Sequence, residues 1–141
     1  MSNLVVHFEI HGSDPQRLVD FYSSLLGWSF QQFGDMPYWS ITTGEEAMNQ
    51  GGAGHGINGG LTQRQGPKPE IGGPVAGANI VVAVDDVDGL FAKGLELGGS
   101  EALAPADMQG VGRLAYLHDP DGNIFGLISP VMSDGSTAMG S

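Results

Sequence analysis

The chain of 141 residues contains no cysteine. Disulfides, thiolate nucleophiles and Cys-ligated zinc or iron–sulfur centres are therefore excluded. Positive charge is scarce as well: five Lys and Arg stand against sixteen Asp and Glu, for a net charge of −11. Such a surface repels phosphate, and no cluster of Lys or Arg offers a footprint for nucleic acid or an anionic membrane. Neither is expected as a partner. Charged residues of both signs make up only 15% of the chain, below the roughly 25% usual in soluble domains. No run of about 18 apolar residues occurs, as a membrane span would need. The N-terminal "MSNLVVHFEI" has no basic leader, and His7 and Glu9 break its apolar run. It does not read as a signal peptide, and a cytoplasmic protein is expected.

Glycine, by contrast, is abundant, at 24 residues, and 40% of the chain is hydrophobic. That favours many turns and short strands over a helical bundle, in one domain or two small modules sharing a core. Residues 4–10 read as a strand. "SDPQRLVDFYSSLLG" reads as a helix, with a Ser13/Gln16 capping box, Pro15 in the first turn and Gly27 after the last. Leu18, Phe21, Tyr22, Leu25 and Leu26 give it an apolar face. "WSFQQF" and "YWSITT" alternate as strands around a "GDMP" turn, and "INGGLTQR" reads as another strand after the polar loop "GEEAMNQGGAGHG". Residues 66–76 belong to a Pro/Gly connector without periodicity.

The pattern then restarts. "ANIVVAV" predicts a strand, "DDVDGLFAKGLELGG" a helix, "SEALAPADMQGVG" a turn-rich segment, and "RLAYLHD" with "NIFGLIS" a hairpin around Asp121-Gly122. His7 lies seven residues before Asp14, and Asn79 lies seven before Asp86; both helices end in Leu-Gly. Two βαβββ modules, about 4–65 and 77–130, are expected to make a single domain over 1–130, followed by a disordered tail over 131–141.

The stretches "HFEIHGSDPQRLVDFYSSLLGW", "VVAVDDVDGLFAKGLELGG" and "GVGRLAYLHDPDGNIFGLISP" resemble the vicinal oxygen chelate superfamily of glyoxalases, extradiol dioxygenases, fosfomycin-resistance enzymes and bleomycin-binding proteins. The resemblance implies an α+β fold in which both modules build one curved mixed sheet with a concave pocket. It also implies metal ligands at His7, Gly60, Asn79 and Gly126. Of these only His7 is a strong donor; the glycines have no side chain where a carboxylate is expected. No catalytic metal is therefore expected, since such a site needs three or four N or O donors.

Several residues remain as candidates. In a strand, His7, Glu9 and His11 share one face. The helix needs an apolar partner and is expected to cover the side of Val6, Phe8 and Ile10, leaving His7 and Glu9 toward the pocket and His11 toward solvent. The pair either contacts a ligand, moves a proton, or is a hydrogen-bonded structural pair. Phe30, Phe33, Tyr38, Trp39 and Tyr116 offer a stacking surface or core, and Arg113 a partner for an anionic group or a solvated rim position. "GHGING" does not fit a dinucleotide fingerprint, because no strand precedes it and no helix follows. His55 is read as a residue of a mobile loop, and His118 as packing locally. Asp119, Asp121 and Asn123 fit a turn better than a calcium loop, since Pro130 stands where a bidentate Glu belongs.

Three functions from different classes follow: a metal-independent protein binding a small organic molecule, a divalent-metal lyase, isomerase or dioxygenase, and a metal-free enzyme using His7 and Glu9. The first is expected, with Tyr38, Trp39, Asn79, Arg113 and Tyr116 joining His7 and Glu9 at the ligand, and with a homodimer favoured over a monomer.

Overall fold

A computed structural model describes residues 5, 7–45, 47, 56–74 and 77–137. Val6 and His55 lie outside the described residues, as does most of the polar loop before residue 56. The chain divides into two compact units, Met1–Lys68 and Pro69–Ser141. Each has the order strand–helix–three strands: β1 (Phe8–Gly12), α1 (Pro15–Leu26), β2 (Ser29–Gln32), β3 (Tyr38–Thr42) and β4 (Gly59–Gln63), then β5 (Ile80–Ala83), α2 (Val87–Glu96), β6 (Ser100–Met108), β7 (Gly112–His118) and β8 (Ile124–Ser129). The expected repeat is thus present. The mixed sheet expected of the modules is hydrogen-bonded as two four-stranded sheets, one in each, ordered β1-β4-β3-β2 and β5-β8-β7-β6. In each, the first strand runs parallel to the last and the other pairings are antiparallel.

In the first unit, α1 buries Leu18, Phe21, Tyr22 and Leu25, the stripe its periodicity predicts. Tyr22 stacks on Trp28 at 5.3 Å, and Trp28 meets Phe8 at 5.8 Å. Ile10, Ile41 and Leu61 complete this core. A β-carbon added to Gly12 would lie 2.8 Å from the Leu18 side chain. The Phe8–Ile10–Gly12 side of β1 therefore faces the helix, and Glu9 and His11 face away. In the second unit Ala115, Leu117, Phe125 and Leu127 are buried with Val87 and Phe91 of α2.

Four local expectations change. Strand β1 begins at Phe8 and extends to Gly12, two residues past the expected end. The cap of α1 is Asp14, without a side-chain cap bond. The Gln16 side chain binds the Asp20 carboxylate four residues on. The "turn-rich" 100–108 segment is strand β6. Its register shifts twice, between Glu101 and Leu103 and between Leu103 and Ala106, and it holds Pro105. An edge strand tolerates both proline and bulges, which erase the alternation used to recognise strands. Finally, residues 131–137 of the expected disordered tail are structured, and the rest of that tail lies outside the described residues. Val131 bridges to Thr137, and the Ser133 backbone N–H and hydroxyl both donate to Asp107.

Candidate functional site

The first sheet has one face on α1 and one exposed face, and strand register decides which side chains share the latter. Glu9 and Ser40 flank Gly60 on either side, and Gln31 pairs with Ser40. This places Gln31, Ser40, Gly60 and Glu9 in one row across the sheet. Two residues along β3 from Ser40, Tyr38 also points to this face. Its hydroxyl donates to Glu9 Oε2 at 2.7 Å. His7, just ahead of β1, places Nε2 at 2.7 Å from the same oxygen and 3.4 Å from the Tyr38 hydroxyl. The side chains of His7 and Glu9 are 49% and 39% exposed, so the cluster is open to a ligand.

Gly60 makes the cluster possible. A β-carbon there would fall 1.8 Å from the Tyr38 hydroxyl and 2.8 Å from Glu9 Oε2. The volume any side chain at position 60 would need is filled by the phenol. Burial pushes the Glu9 carboxyl up, but hydrogen bonds from His7 and Tyr38 and the nearby His7 and His11 imidazoles outweigh it, holding the group below its ordinary value. The Tyr38 phenol is pushed up to about 12 by burial and by its bond to the Glu9 carboxylate. Glu9 is therefore an anion at neutral pH. A carboxylate only accepts, so the proton between it and His7 sits on Nε2.

The second unit repeats this frame with different chemistry. Val81 and Tyr116 flank Gly126 as Glu9 and Ser40 flank Gly60. A β-carbon on Gly126 would stand 2.7 Å from the Tyr116 ring and 3.2 Å from Val81. Asn79 is exposed ahead of β5. Positions 60 and 126 offer no donor, and their side-chain space is taken by a phenol hydroxyl and a phenol ring. The residues at the implied ligand positions do not fit a divalent metal centre. Among the described residues no three His, Cys, Asp or Glu side chains cluster as metal ligands.

Two residues expected at the ligand lie on the helix-facing sides of their sheets. Trp39 alternates with Tyr38 and pairs with Leu61, which is fully buried; it lies on the helix face, as does Phe30 opposite Ile41. Arg113 is bound by Asp88 of α2 at 2.9 Å and by Asp107 at 3.2 Å, a two-carboxylate clamp on the helix side of β7. Phe33 lies edge-on to Tyr38 at 5.3 Å. His11 is exposed, and His118 is buried with Nδ1 3.4 Å from the Ser100 hydroxyl. Asp119 accepts from the Asp121 and Asn123 backbone N–H groups and the Asn123 amide, so this motif builds the β7–β8 turn. Gln31, Ser40 and Thr62 also stand on the exposed face, and period-two alternation was the signal that could have found them.

The model of the Glyoxalase/Bleomycin resistance protein/Dioxygenase superfamily matches residues 4–127. The chain belongs to this superfamily. It is 27% identical over 135 residues to the anthracycline biosynthesis protein DnrV of Streptomyces peucetius, covering 94% of this chain and 49% of that protein. It is 41% identical over 69 residues to the putative glyoxylase CFP32 of Mycobacterium tuberculosis, covering 43% of this chain and 26% of that protein. The chain thus spans about half the length of these curated relatives or less. Among solved structures, a glyoxalase-related enzyme from Fulvimarina pelagi superposes with TM-score 0.67 at 18% identity, over 96% of this chain and 97% of that one. The fosfomycin resistance protein FosX from Mesorhizobium loti gives 0.61 at 19%, over 91% and 92%. At such identities the likeness shows the fold alone. No described helix is long and apolar enough to cross a membrane.

Proposed function

We propose that this superfamily member binds a small organic molecule on the exposed face of its first sheet, without a catalytic metal. The observation that carries the reading is the Tyr38 hydroxyl, standing where a side chain at Gly60 would be and hydrogen-bonded to Glu9. One oxygen of Glu9 receives both hydrogen bonds, from His7 and from Tyr38. The cluster remains exposed, with aromatic surface beside it. The name of DnrV supports a ligand with aromatic character, though that name describes DnrV. The test is ligand binding to protein dialysed against a chelator: binding is unchanged on this reading, and its loss, with recovery on adding one divalent metal, overturns it.

A metal-free reaction is the second reading, favoured by the 2.7 Å bond between His7 and Glu9. Proton transfer through His7 needs this orientation and a pKa near the working pH. Turnover abolished by both His7→Gln and Glu9→Gln supports it; turnover in either variant sinks it. We further propose a homodimer, tested by sedimentation at micromolar concentration, and a cytoplasmic location, tested by cell fractionation.

A further inference from the structure

We propose that the face around Glu9 selects a protonated amine, carried on an aromatic body that lies against Phe33 and Tyr38. The inference rests on the small-molecule reading above and adds the ligand's charge and shape. Glu9 Oε2 already receives two donors, His7 Nε2 and the Tyr38 hydroxyl. Among the described residues, none donates to its other oxygen, Oε1. The Nε2 proton of His7 is spent on Glu9. The cluster thus presents an exposed anionic acceptor, the second carboxylate oxygen of Glu9.

The surroundings agree. In the same row the Ser40 hydroxyl spends its proton on the Gln31 carbonyl. The guanidinium of Arg64 is turned to the His11 carbonyl at 2.9 Å. Beside the cluster, Phe33, Asp35, Met36 and Pro37 line a wide, shallow hollow. Phe33 and Met36 are 51% and 58% exposed despite being apolar. An ammonium group supplies donors to that oxygen of Glu9 and is attracted by the faces of the rings, whereas a carboxylate meets Glu9 as a like charge.

The full chain is titrated with naphthylethylamine, naphthylethanol and naphthylacetate and followed by NMR. The three share a ring and differ in charge. The amine is expected to bind about tenfold more tightly than the alcohol, a difference equal to one charge-assisted hydrogen bond. The acetate binds most weakly, and the shifts centre on His7, Glu9, Phe33 and Tyr38. Glu9→Gln erases the preference and leaves alcohol binding in place. Tyr38→Phe, which keeps both ring and carboxylate, retains the preference and serves if Glu9→Gln fails to fold. Equal binding of amine and alcohol on this face, or tighter acetate, overturns the inference and spares the small-molecule reading. No shift on this face from any of the three overturns that reading as well.

Discussion

At the scale of single residues, the account turns on a glycine that makes room for a phenol. Gly60→Ala puts a methyl group 1.8 Å from the present position of the Tyr38 hydroxyl. The hydroxyl is the far end of a side chain and can swing away, so the fold is expected to survive while the bond to Glu9 breaks. Losing that hydrogen bond costs about 1–3 kcal/mol, read from denaturant unfolding, and raises the Glu9 pKa toward its ordinary value. The pH dependence has two arms of opposite sign. The lowered pKa of Glu9 contributes stability that is present above its unfolded pKa and fades as pH falls through the folded value. Tyr38 is held protonated up to about 12 against an ordinary 10.0. Its contribution is complete below pH 10 and is lost as pH rises through 12. Unfolding measured across that alkaline window is expected to show less loss in Tyr38→Phe than in the parent; equal loss contradicts the assignment. For ligand binding, His7→Ala is expected to cost about 1–3 kcal/mol and His11→Ala almost nothing, by calorimetry. The reverse order means that the strand presents its other end to the ligand.

At the scale of elements, the two helices occupy matching places but start differently. The Asp86 side chain accepts from the Gly89 N–H, whereas Asp14 makes no side-chain cap bond. Asp86→Ala is expected to destabilise by about 1 kcal/mol and Asp14→Ala by much less, both measured by thermal unfolding. Similar losses show that the caps are equivalent. Helices with clear apolar stripes, such as Leu18, Phe21, Tyr22 and Leu25, were legible in the sequence because burial imposes a period. Strand β6 was not, because an edge strand interrupted by Pro105 and two register shifts carries none. The alternation of β1 correctly placed Glu9 opposite Ile10. The same rule applied to β3 separates Tyr38 from Trp39, and only the pairing register revealed which of them reaches Glu9.

At the scale of the whole molecule, two modules share one plan and differ in chemistry. The paired intervals His7/Asp14 and Asn79/Asp86 foretold the plan, and the matched residues fixed its superfamily. What they left open was how the empty positions at Gly60 and Gly126 are filled, since a glycine is silent about its neighbours. In the first unit the answer is a Tyr–Glu–His cluster; in the second it is a tyrosine ring and a valine. The Arg113 clamp was unreadable for a similar reason. Its partners Asp88 and Asp107 come from a helix and a strand separated from it by 25 and 6 residues. The central claim is that hydrogen bonds stand in for a metal, and elemental analysis of protein prepared without chelator tests it most directly. The account predicts no stoichiometric transition metal, in the parent or in His7→Ala. One tightly bound zinc, nickel, manganese or iron per chain, lost in His7→Ala, would contradict it.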